Sequence, residues 1–440
     1  MAWLVKGARL LDPARGIDRT GDLLVDGGKI VRVGGEIRAD GEPATIEAKG
    51  CVLAPAFVDM HVHLREPGRE DAETIESGTR AAAAGGFGAI ACMPNTDPPL
   101  DSQGAIRFVL ERAEEAGPVQ VLPIGCITAG RRGERLAEIG DLVRAGAAAI
   151  SDDGSWVESP LLMRRALEYA RMFDIPVVTH AEDKRLSAGG VMHEGEMSLH
   201  LGLRGIPAES EVVAIERDVR LAELAEGRLH VAHVSTAEGV AVVRRAKERG
   251  LAVTAETAPH YLALTDRCLA GYDTNRKVNP PLRTAADRDA LRGAVADGVI
   301  DAIATDHAPH PLHEKEVEFD AAPFGVVGLE TALAVLLTYL VRAGHLPLPR
   351  LVECLTSAPA KILGLDLPGL AEGADASLVL FDPEGSWVVD PSRFESLSRN
   401  TPFAGERLFG EIKALFLGPK RIVPRPKSGG GFLFPDEEAR

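Results

Sequence analysis

The pattern of apolar and polar positions divides the chain into a middle part and two ends that resemble each other. Residues 1–55 alternate short apolar runs with turn signals such as Gly-Gly and Asp-Pro, which predicts antiparallel strands. Strand patterns return over 366–426, and we predict that they pair with the N-terminal strands. The two ends would then form one small β-sandwich domain. The tail, 427–440, contains Gly-Gly-Gly and is predicted to be flexible.

The middle part, 56–365, alternates apolar runs with amphipathic segments and predicts an α/β fold. Its predicted strands are 56–64, 88–95, 119–128, 147–154, 175–182, 228–235, 251–259 and 301–309. Helical patterns lie between them, for example at 73–85, 159–173 and 236–250. Eight strands alternating with helices predict a (β/α)8 TIM-type barrel. A doubly wound open sheet is the alternative, but the turn after the first strand, HLREPGRE, lacks the Gly-rich phosphate pattern of that fold.

Composition and charge exclude several classes of function. The formal net charge of −16 argues against a nucleic-acid surface and means that local cationic groups must attract any anionic substrate. The five cysteines are scattered without a Cys-x-x-Cys pair, which favours a reducing compartment and excludes a thiolate zinc cluster. No signal-peptide pattern is present, and the longest apolar run, 333–341, is about half of a membrane span. We therefore expect a cytoplasmic protein without a membrane partner.

Side chains that can bind metal fall at the C-terminal ends of the predicted strands, the face on which such barrels carry their chemistry. They are His61 and His63 on the first strand, Asp152 and Asp153 on the fourth, His180 on the fifth, His233 on the sixth and Asp306 on the eighth. His61 and His63 are two apart, so both point to one face of their strand. Burying so many polar side chains unpaired would be costly, which favours a metal site over core packing.

The type and number of these ligands predict two metal ions. Nitrogen and oxygen ligands without sulfur suit zinc, manganese, cobalt or iron, and we take zinc as the default. One catalytic zinc needs only about three such ligands. Two ions about 3.5–4 Å apart would use the whole set. His61, His63 and Asp306 would hold one ion, and His180 and His233 the other. The bridging ligand would be a carboxylate at the end of the fourth strand.

The motifs DMHVHLREPG, MPNT, SDDG, THAED, AHVST, NPPLR and ATDHAPH resemble those of the amidohydrolase superfamily and, within it, the class I dihydroorotases. The resemblance implies a metal-dependent enzyme that interconverts N-carbamoyl-L-aspartate and L-dihydroorotate in de novo pyrimidine (UMP) biosynthesis. Many relatives bridge their metals with a carboxylated lysine on the fourth strand, but this chain has no lysine between Lys49 and Lys184. The class I pattern places an aspartate there, which is Asp153. Asp152 points the opposite way on a strand and is the alternative.

The resemblance also implies a mechanism and a substrate site. We hypothesise that a hydroxide bridging two Zn²⁺ ions attacks the ring amide and that Asp306 acts as general acid and base. The planar guanidinium of Arg65 suits a carboxylate. The implied substrate contacts are His63, Arg65, Asn95, Asn279, His310 and the backbone at Phe324 and Gly325. The long charged segment 310–328 is a candidate lid.

Each of these residues also has a structural interpretation. Arg65 could pair with Glu66 or Asp71, and asparagines beside prolines often serve turns. His193, His200 and His313 fit solvated loops.

Two other functions remain open from the sequence alone. One is a different cyclic amidase, such as a dihydropyrimidinase, hydantoinase or allantoinase. The other is a non-catalytic dihydroorotase-like partner of aspartate carbamoyltransferase, although such relatives lose metal ligands that this chain retains. The sequence is also compatible with a homodimer, and with an active enzyme that associates with aspartate carbamoyltransferase.

Overall fold

The computed structural model describes residues 2–38 and 41–422. The chain begins with strands that match the predicted N-terminal pattern: β1 (Trp3–Asp12), β2 (Ile17–Asp26), β3 (Lys29–Gly34), β4 (Ala44–Glu47) and β5 (Val52–Pro55). β1 pairs with β2 in antiparallel fashion and with β4 and β5 in parallel. Its register shifts between Val5 and Ala8, where Gly7 adopts a φ of 68°. This bulge separates the half of β1 that pairs with β4 from the half that pairs with β5.

Ten further strands follow in the middle of the chain, and eight of them form the barrel. They are β6 (Phe57–Val62), β7 (Phe87–Cys92), β8 (Gln120–Gly125), β9 (Ala149–Ser151), β10 (Val177–Thr179), β11 (Met192–His193), β12 (Gly205–Ile206), β13 (Leu229–Val231), β14 (Val253–Thr257) and β15 (Ala302–Ile303). The parallel order is β6-β7-β8-β9-β10-β13-β14-β15, while β11 pairs with β12. A parallel bridge between Val62 and His307 joins the last strand region to the first. The predicted (β/α)8 barrel is confirmed, and every predicted barrel strand overlaps an observed one.

Helices connect the barrel strands and cover their outer surface. In chain order they are α1 (Ile75–Ala84), α2 (Gln103–Ala116), α3 (Ile139–Ala145), α4 (Pro160–Arg171), α5 (Glu196–Leu201), α6 (Glu209–Ala225), α7 (Ala237–Glu248), α8 (Pro259–Ala263), α9 (Ala285–Ala296), α10 (Leu312–Lys315), α11 (Ala332–Leu336), α12 (Leu348–Leu355) and α13 (Ser357–Leu363). The start of each predicted helix is fixed by a capping hydroxyl: Thr74, Ser159 and Thr236 accept backbone hydrogen bonds at the N-termini of α1, α4 and α7. No helix among the described residues is long and apolar enough to cross a membrane.

The C-terminal strands return to the N-terminal ones, as predicted. β16 (Ser377–Val388), β17 (Arg407–Leu417) and β18 (Lys420–Ile422) extend the first sheet through antiparallel pairing of β16 with β5. In the described residues the two ends therefore form one continuous eight-stranded sheet with its own apolar core, which includes Leu10, Leu53 and Phe416. The predicted flexible tail, 427–440, lies outside the described residues.

The barrel interior is filled mostly by small side chains. Ala89, Ala91, Ala149, Ala232 and Ala304 belong to the interior cluster, together with residues of α13. The outer layer between strands and helices instead holds larger side chains. The histidines and aspartates singled out in the sequence lie at the mouth of the barrel that the C-terminal strand ends form.

Candidate active site

β6 delivers two imidazoles to the interior of the barrel mouth. His61 and His63 face the interior, whereas Val62 between them packs in the outer apolar layer, as their spacing predicts. The Nε2 atom of His63 lies 3.2 Å from Oδ1 of Asp306, and the Nε2 atom of His61 lies 3.7 Å from the same oxygen. The first and last barrel strands therefore place their polar side chains together.

Asp153 lies at the centre of the cluster. Its Oδ1 atom is 3.4 Å from His61 Nε2, 3.5 Å from His180 Nδ1 and 3.6 Å from His233 Nε2. Its Oδ2 atom is 3.6 Å from His63 Nε2. Burial raises the pKa of Asp153, but the charge of His61 and the neighbouring imidazoles outweigh it and hold that pKa well below its usual value. The carboxylate is therefore ionised and faces all four histidines.

Asp152 points away from this cluster into the loop after β8. Its Oδ1 atom accepts hydrogen bonds from the backbone N–H groups of Ile127 and Thr128, at 2.9 and 3.0 Å. Its Oδ2 atom accepts from the Thr128 hydroxyl. Of the two adjacent carboxylates, Asp153 is therefore the one that faces the histidines, and Asp152 holds a loop.

The cluster has the properties of a metal site. His61 Nε2 and Asp153 Oδ1, which lie 3.4 Å apart, are buried and have no hydrogen-bond partner among the described residues. Within the described chain, two sets of ligand atoms lie within 4.8 Å of one another: His61 with Asp153 and His233, and His61 with His63 and Asp306. Buried polar atoms that converge without hydrogen bonds are costly unless a further group, such as a cation, satisfies them. The donor set of imidazoles and carboxylates fits divalent metal ions.

A pocket of about 540 Å³ opens beside the cluster. The structure brings six further predicted residues to its walls: Arg65, Asn95, Asn279, His310, Phe324 and Gly325. Asn95 Oδ1 lies 2.8 Å from His63 Nδ1, and Asn279 Nδ2 donates to Glu182 Oε2 at 2.8 Å. Both asparagine side chains thus have roles at the site besides any turn function.

The guanidinium of Arg65 is half-buried at the pocket and has no carboxylate partner in the described residues. Its Nε atom donates to Pro309 O at 3.1 Å, and its Nη2 atom is 3.3 Å from His310 Nε2. Glu66 pairs instead with Arg112 at 2.9 Å. Burial lowers the pKa of Arg65 to about 10, so the side chain remains a cation at neutral pH. The structure thus leaves this charge available to an anionic ligand.

The segment after β15 folds over one side of the pocket. His310 Nε2 lies 2.8 Å from Phe324 O, and its Nδ1 atom lies 2.9 Å from Glu314 Oε2. Burial and the nearby charge of Arg65 lower the pKa of His310 to about 4, which makes it neutral at pH 7. Glu314 also binds Arg69, with 2.6 Å between its Oε1 and Arg69 Nη2. This charged stretch is therefore tied to the barrel rim rather than being a plain solvated loop.

Three acidic residues and one lysine at the site were not predicted from the sequence. Glu182, in the THAED motif, lies 3.0 Å from His180 Nε2 and also binds Lys184. Glu256, on β14, lies 2.9 Å from His61 Nδ1. Asp59 accepts the backbone N–H of Thr305. The period-two pattern of β14 could have identified Glu256 as an inward-facing carboxylate. Glu182 and Lys184 instead lie in the irregular segment after β10, where no period indicates which way a side chain points.

The interpretation of His193 as a solvated loop residue was wrong. It lies on β11, is buried, and has its Nδ1 atom 3.1 Å from Nη1 of the buried Arg283. β11 pairs with β12 through two residues on each strand, His193 among them. A strand of two residues is too short to show a period in the sequence. His200 and His313 are exposed, as expected.

A barrel with histidines and aspartates gathered at its C-terminal mouth, beside a pocket lined by an arginine that has no carboxylate partner in the described residues, defines a cyclic amidohydrolase of the amidohydrolase superfamily. The family model described as "Dihydro-orotase-like" matches residues 50–239. A dihydroorotase from Pelobacter propionicus is 50% identical over 425 residues, covering 97% of this chain and 100% of that protein. One from Syntrophotalea carbinolica is 52% identical over 411 residues, covering 93% and 96%. This chain belongs to the dihydroorotase family.

Solved structures of related enzymes agree with the fold. The L-hydantoinase (dihydropyrimidinase) from Arthrobacter aurescens superposes with a TM-score of 0.85 at 28% identity, covering 96% of each chain. A D-hydantoinase structure gives a TM-score of 0.83 at 26% identity, covering 98% of this chain and 97% of that one. The barrel and the flanking sheet are thus shared with cyclic amidases of another specificity, and the specificity must come from the pocket.

Proposed function

We propose that the chain is a class I dihydroorotase that interconverts N-carbamoyl-L-aspartate and L-dihydroorotate. The observation that carries this proposal is the half-buried guanidinium of Arg65, which has no carboxylate partner among the described residues and lines the same pocket as the His/Asp cluster. Dihydroorotate differs from a neutral cyclic ureide such as dihydrouracil by one carboxylate. A planar cation beside the reacting centre selects for that group.

The proposed cofactor is a pair of Zn²⁺ ions. His61, His63 and Asp306 would hold one, and His180 and His233 the other, with Asp153 between them. The close set of His61, His63 and Asp306 and the unpartnered atoms of His61 and Asp153 support this proposal. When bound, such ions lower the pKa of a water to near neutrality and polarise the amide carbonyl.

The protein's own groups would bind the substrate and move its proton. Arg65, Asn95 and His310 would bind the carboxylate, while Asn279 would hold the ring amide. Burial raises the pKa of Asp306, but hydrogen bonding to His63 and the charges of the neighbouring histidines outweigh it, so the carboxyl is ionised. Asp306 is thus able to take a proton from the attacking water and pass it to the departing ring nitrogen. In ring closure the same carboxyl group runs the transfer in reverse.

The remaining assignments follow from this proposal. The barrel would comprise 56–365 and the small domain 1–55 with 366–426. The five cysteines are free thiols in the structure, which supports a reducing cytoplasm. A homodimer, and an association with aspartate carbamoyltransferase, are further proposals that sedimentation of the chain alone and with the transferase would test.

Turnover of dihydroorotate and dihydrouracil by the wild-type enzyme and by Arg65→Met tests the proposal. We expect the wild type to prefer dihydroorotate, and the variant to raise its KM about 10- to 100-fold, the value of charge-assisted hydrogen bonds to one carboxylate. The low turnover of dihydrouracil should not change. Arg107→Met, on the exposed face of α2, is the control. A wild-type preference for dihydrouracil would instead identify a dihydropyrimidinase, the activity for which the Arthrobacter enzyme is named.

A further inference from the structure

Two buried lysines lie beneath the wall of the pocket that Phe324 and Gly325 form. Lys277 is 2% exposed and stands two residues before Asn279; Lys315 is 3% exposed and ends α10. Burying an ammonium group is costly unless it is fully hydrogen-bonded, so buried lysines without a role are rare. Neither lysine is among the residues that the proposed reaction uses.

The Lys277 ammonium binds main-chain carbonyls of the segment that follows α10. Its Nζ atom donates to Phe319 O at 2.7 Å, Asp320 O at 3.1 Å and Ala322 O at 2.7 Å. It also lies 4.7 Å from the centre of the Phe324 ring, a distance at which a cation is attracted to an aromatic face. One side chain therefore fixes the shape of the loop over 319–324.

Lys315 makes the reciprocal connection. Its Nζ atom donates to Thr274 O at 3.1 Å and to Pro323 O at 2.8 Å, and its own carbonyl accepts from the Thr274 hydroxyl at 2.5 Å. The main chain adds a further link, because Gly325 N donates to Lys277 O at 2.9 Å. The segment that carries Asn279 and the segment that carries Phe324 and Gly325 are thus joined in both directions.

All hydrogen-bond acceptors of the two ammonium groups in the described residues are backbone carbonyls. Carbonyl oxygens can bind the ammonium only where the backbone holds them in place, so these bonds report loop shape rather than charge pairing. Burial lowers the pKa of Lys277 to about 8, and burial with the charge of Lys277 lowers the pKa of Lys315 to about 7. The carbonyls directed at each nitrogen favour the charged form.

We propose that Lys277 and Lys315 are positioning residues, which lock segment 274–279 to segment 310–325 so that Asn279 and the backbone at Phe324–Gly325 contact the substrate as one unit. The inference rests on the proposed function, since it concerns contacts with dihydroorotate. It goes beyond that function because neither lysine lines the described catalytic cluster or touches a metal ligand.

The test measures steady-state kinetics on dihydroorotate for Lys277→Ala and Lys315→Met, with metal content determined in parallel. We expect KM to rise at least 10-fold in each variant, with kcat changed less than threefold and metal content unchanged. Propylammonium supplies the three carbons and the nitrogen that Lys277→Ala lacks, and it should restore KM. Propan-1-ol, similar in size but uncharged, should restore much less. Lys29→Ala, at a surface ion pair with Asp375, is the matched control.

Hydrogen exchange of 274–279 and 310–325 gives a readout that does not need turnover. Both segments should exchange faster in either variant, and propylammonium should slow both again in Lys277→Ala. Wild-type exchange in both variants, or a KM within twofold of the wild type, would overturn the positioning role. If the wild-type enzyme does not turn over dihydroorotate, the proposed function is refuted. The hydrogen-exchange result would then still show whether the two lysines couple the two segments.

Discussion

The two adjacent aspartates after β9 give the sharpest test of the site, because they differ in direction more than in burial. Asp152 is 3% exposed and Asp153 is 3% exposed, so substitution of either by Asn removes a buried carboxylate of the same size. Asp152 accepts two backbone hydrogen bonds and one hydroxyl hydrogen bond, whereas Asp153 Oδ1 accepts none from the described residues. We therefore predict different effects on metal binding.

In Asp152→Asn the two bonds from Ile127 and Thr128 become neutral instead of charge-assisted. At about 1 kcal/mol lost per bond, the free energy of unfolding of the metal-free protein should fall by about 2 kcal/mol. Asp153→Asn breaks no backbone hydrogen bond, but it removes the ionised carboxylate that faces His61 and three other imidazoles, so the free energy of unfolding of the metal-free protein should fall as well. Metal binding therefore separates the two variants, with wild-type content in Asp152→Asn and a loss of at least one ion per chain in Asp153→Asn.

Urea unfolding of the chelated proteins and elemental analysis of the reloaded proteins measure these two quantities separately. Chelation first is necessary because a bound metal stabilises the native state and would mix the two effects. If Asp152→Asn lost metal while Asp153→Asn kept its full content, the assignment of the bridging carboxylate would be reversed. Equal metal content in both variants would mean that neither carboxylate bridges.

Two further predictions concern groups that the sequence did not reveal. Glu256→Ala removes the carboxylate 2.9 Å from His61 Nδ1 and should weaken zinc binding about 10- to 100-fold in a chelator competition, because that carboxylate orients the imidazole. Glu238→Ala, at an exposed position, is the control. Unchanged zinc affinity in Glu256→Ala would contradict this role. Burial lowers the pKa of His193 to about 4, below the value of about 6.5 in an unfolded chain, so the unfolded state binds the extra proton first as pH falls. The contribution of His193 to the free energy of unfolding is therefore complete above pH 6.5 and should decline by about 3 kcal/mol as the pH falls to 4. His193→Gln should reduce that decline in urea unfolding of the metal-free protein, and exposed His200→Gln should not.

The sequence predicted the barrel, and the histidines and aspartates gathered at its mouth, because both depend on local periods. Alternation along β6 placed His61 and His63 on one face, and hydroxyl caps such as Thr236 marked where helices begin. The same alternation separated Asp153 from Asp152, although a three-residue strand left either choice open.

The parts that could not be predicted depend on contacts between loops. Lys277 reaches carbonyls 42 to 45 residues later, and nothing in its neighbours distinguishes it from a surface lysine. Glu182 reaches Asn279 across 97 residues for the same reason. A local pattern reports which face a side chain takes, but not which distant loop will cover it.

The backbone at the barrel mouth connects this fold to its chemistry. Arg65, His233 and Asp306 adopt left-handed conformations, with φ values of 61°, 36° and 48°, at the ends of three different strands. Each such residue costs about 1–2 kcal/mol relative to an ordinary conformation, a cost that only a well-packed scaffold can sustain. In each case the chain turns sharply just where it leaves the sheet, which allows a side chain beyond the last paired residue to point back over the barrel axis. The closed barrel therefore does more than gather polar side chains from distant parts of the sequence, because its packing also holds three of them in backbone conformations that an isolated strand end would not keep.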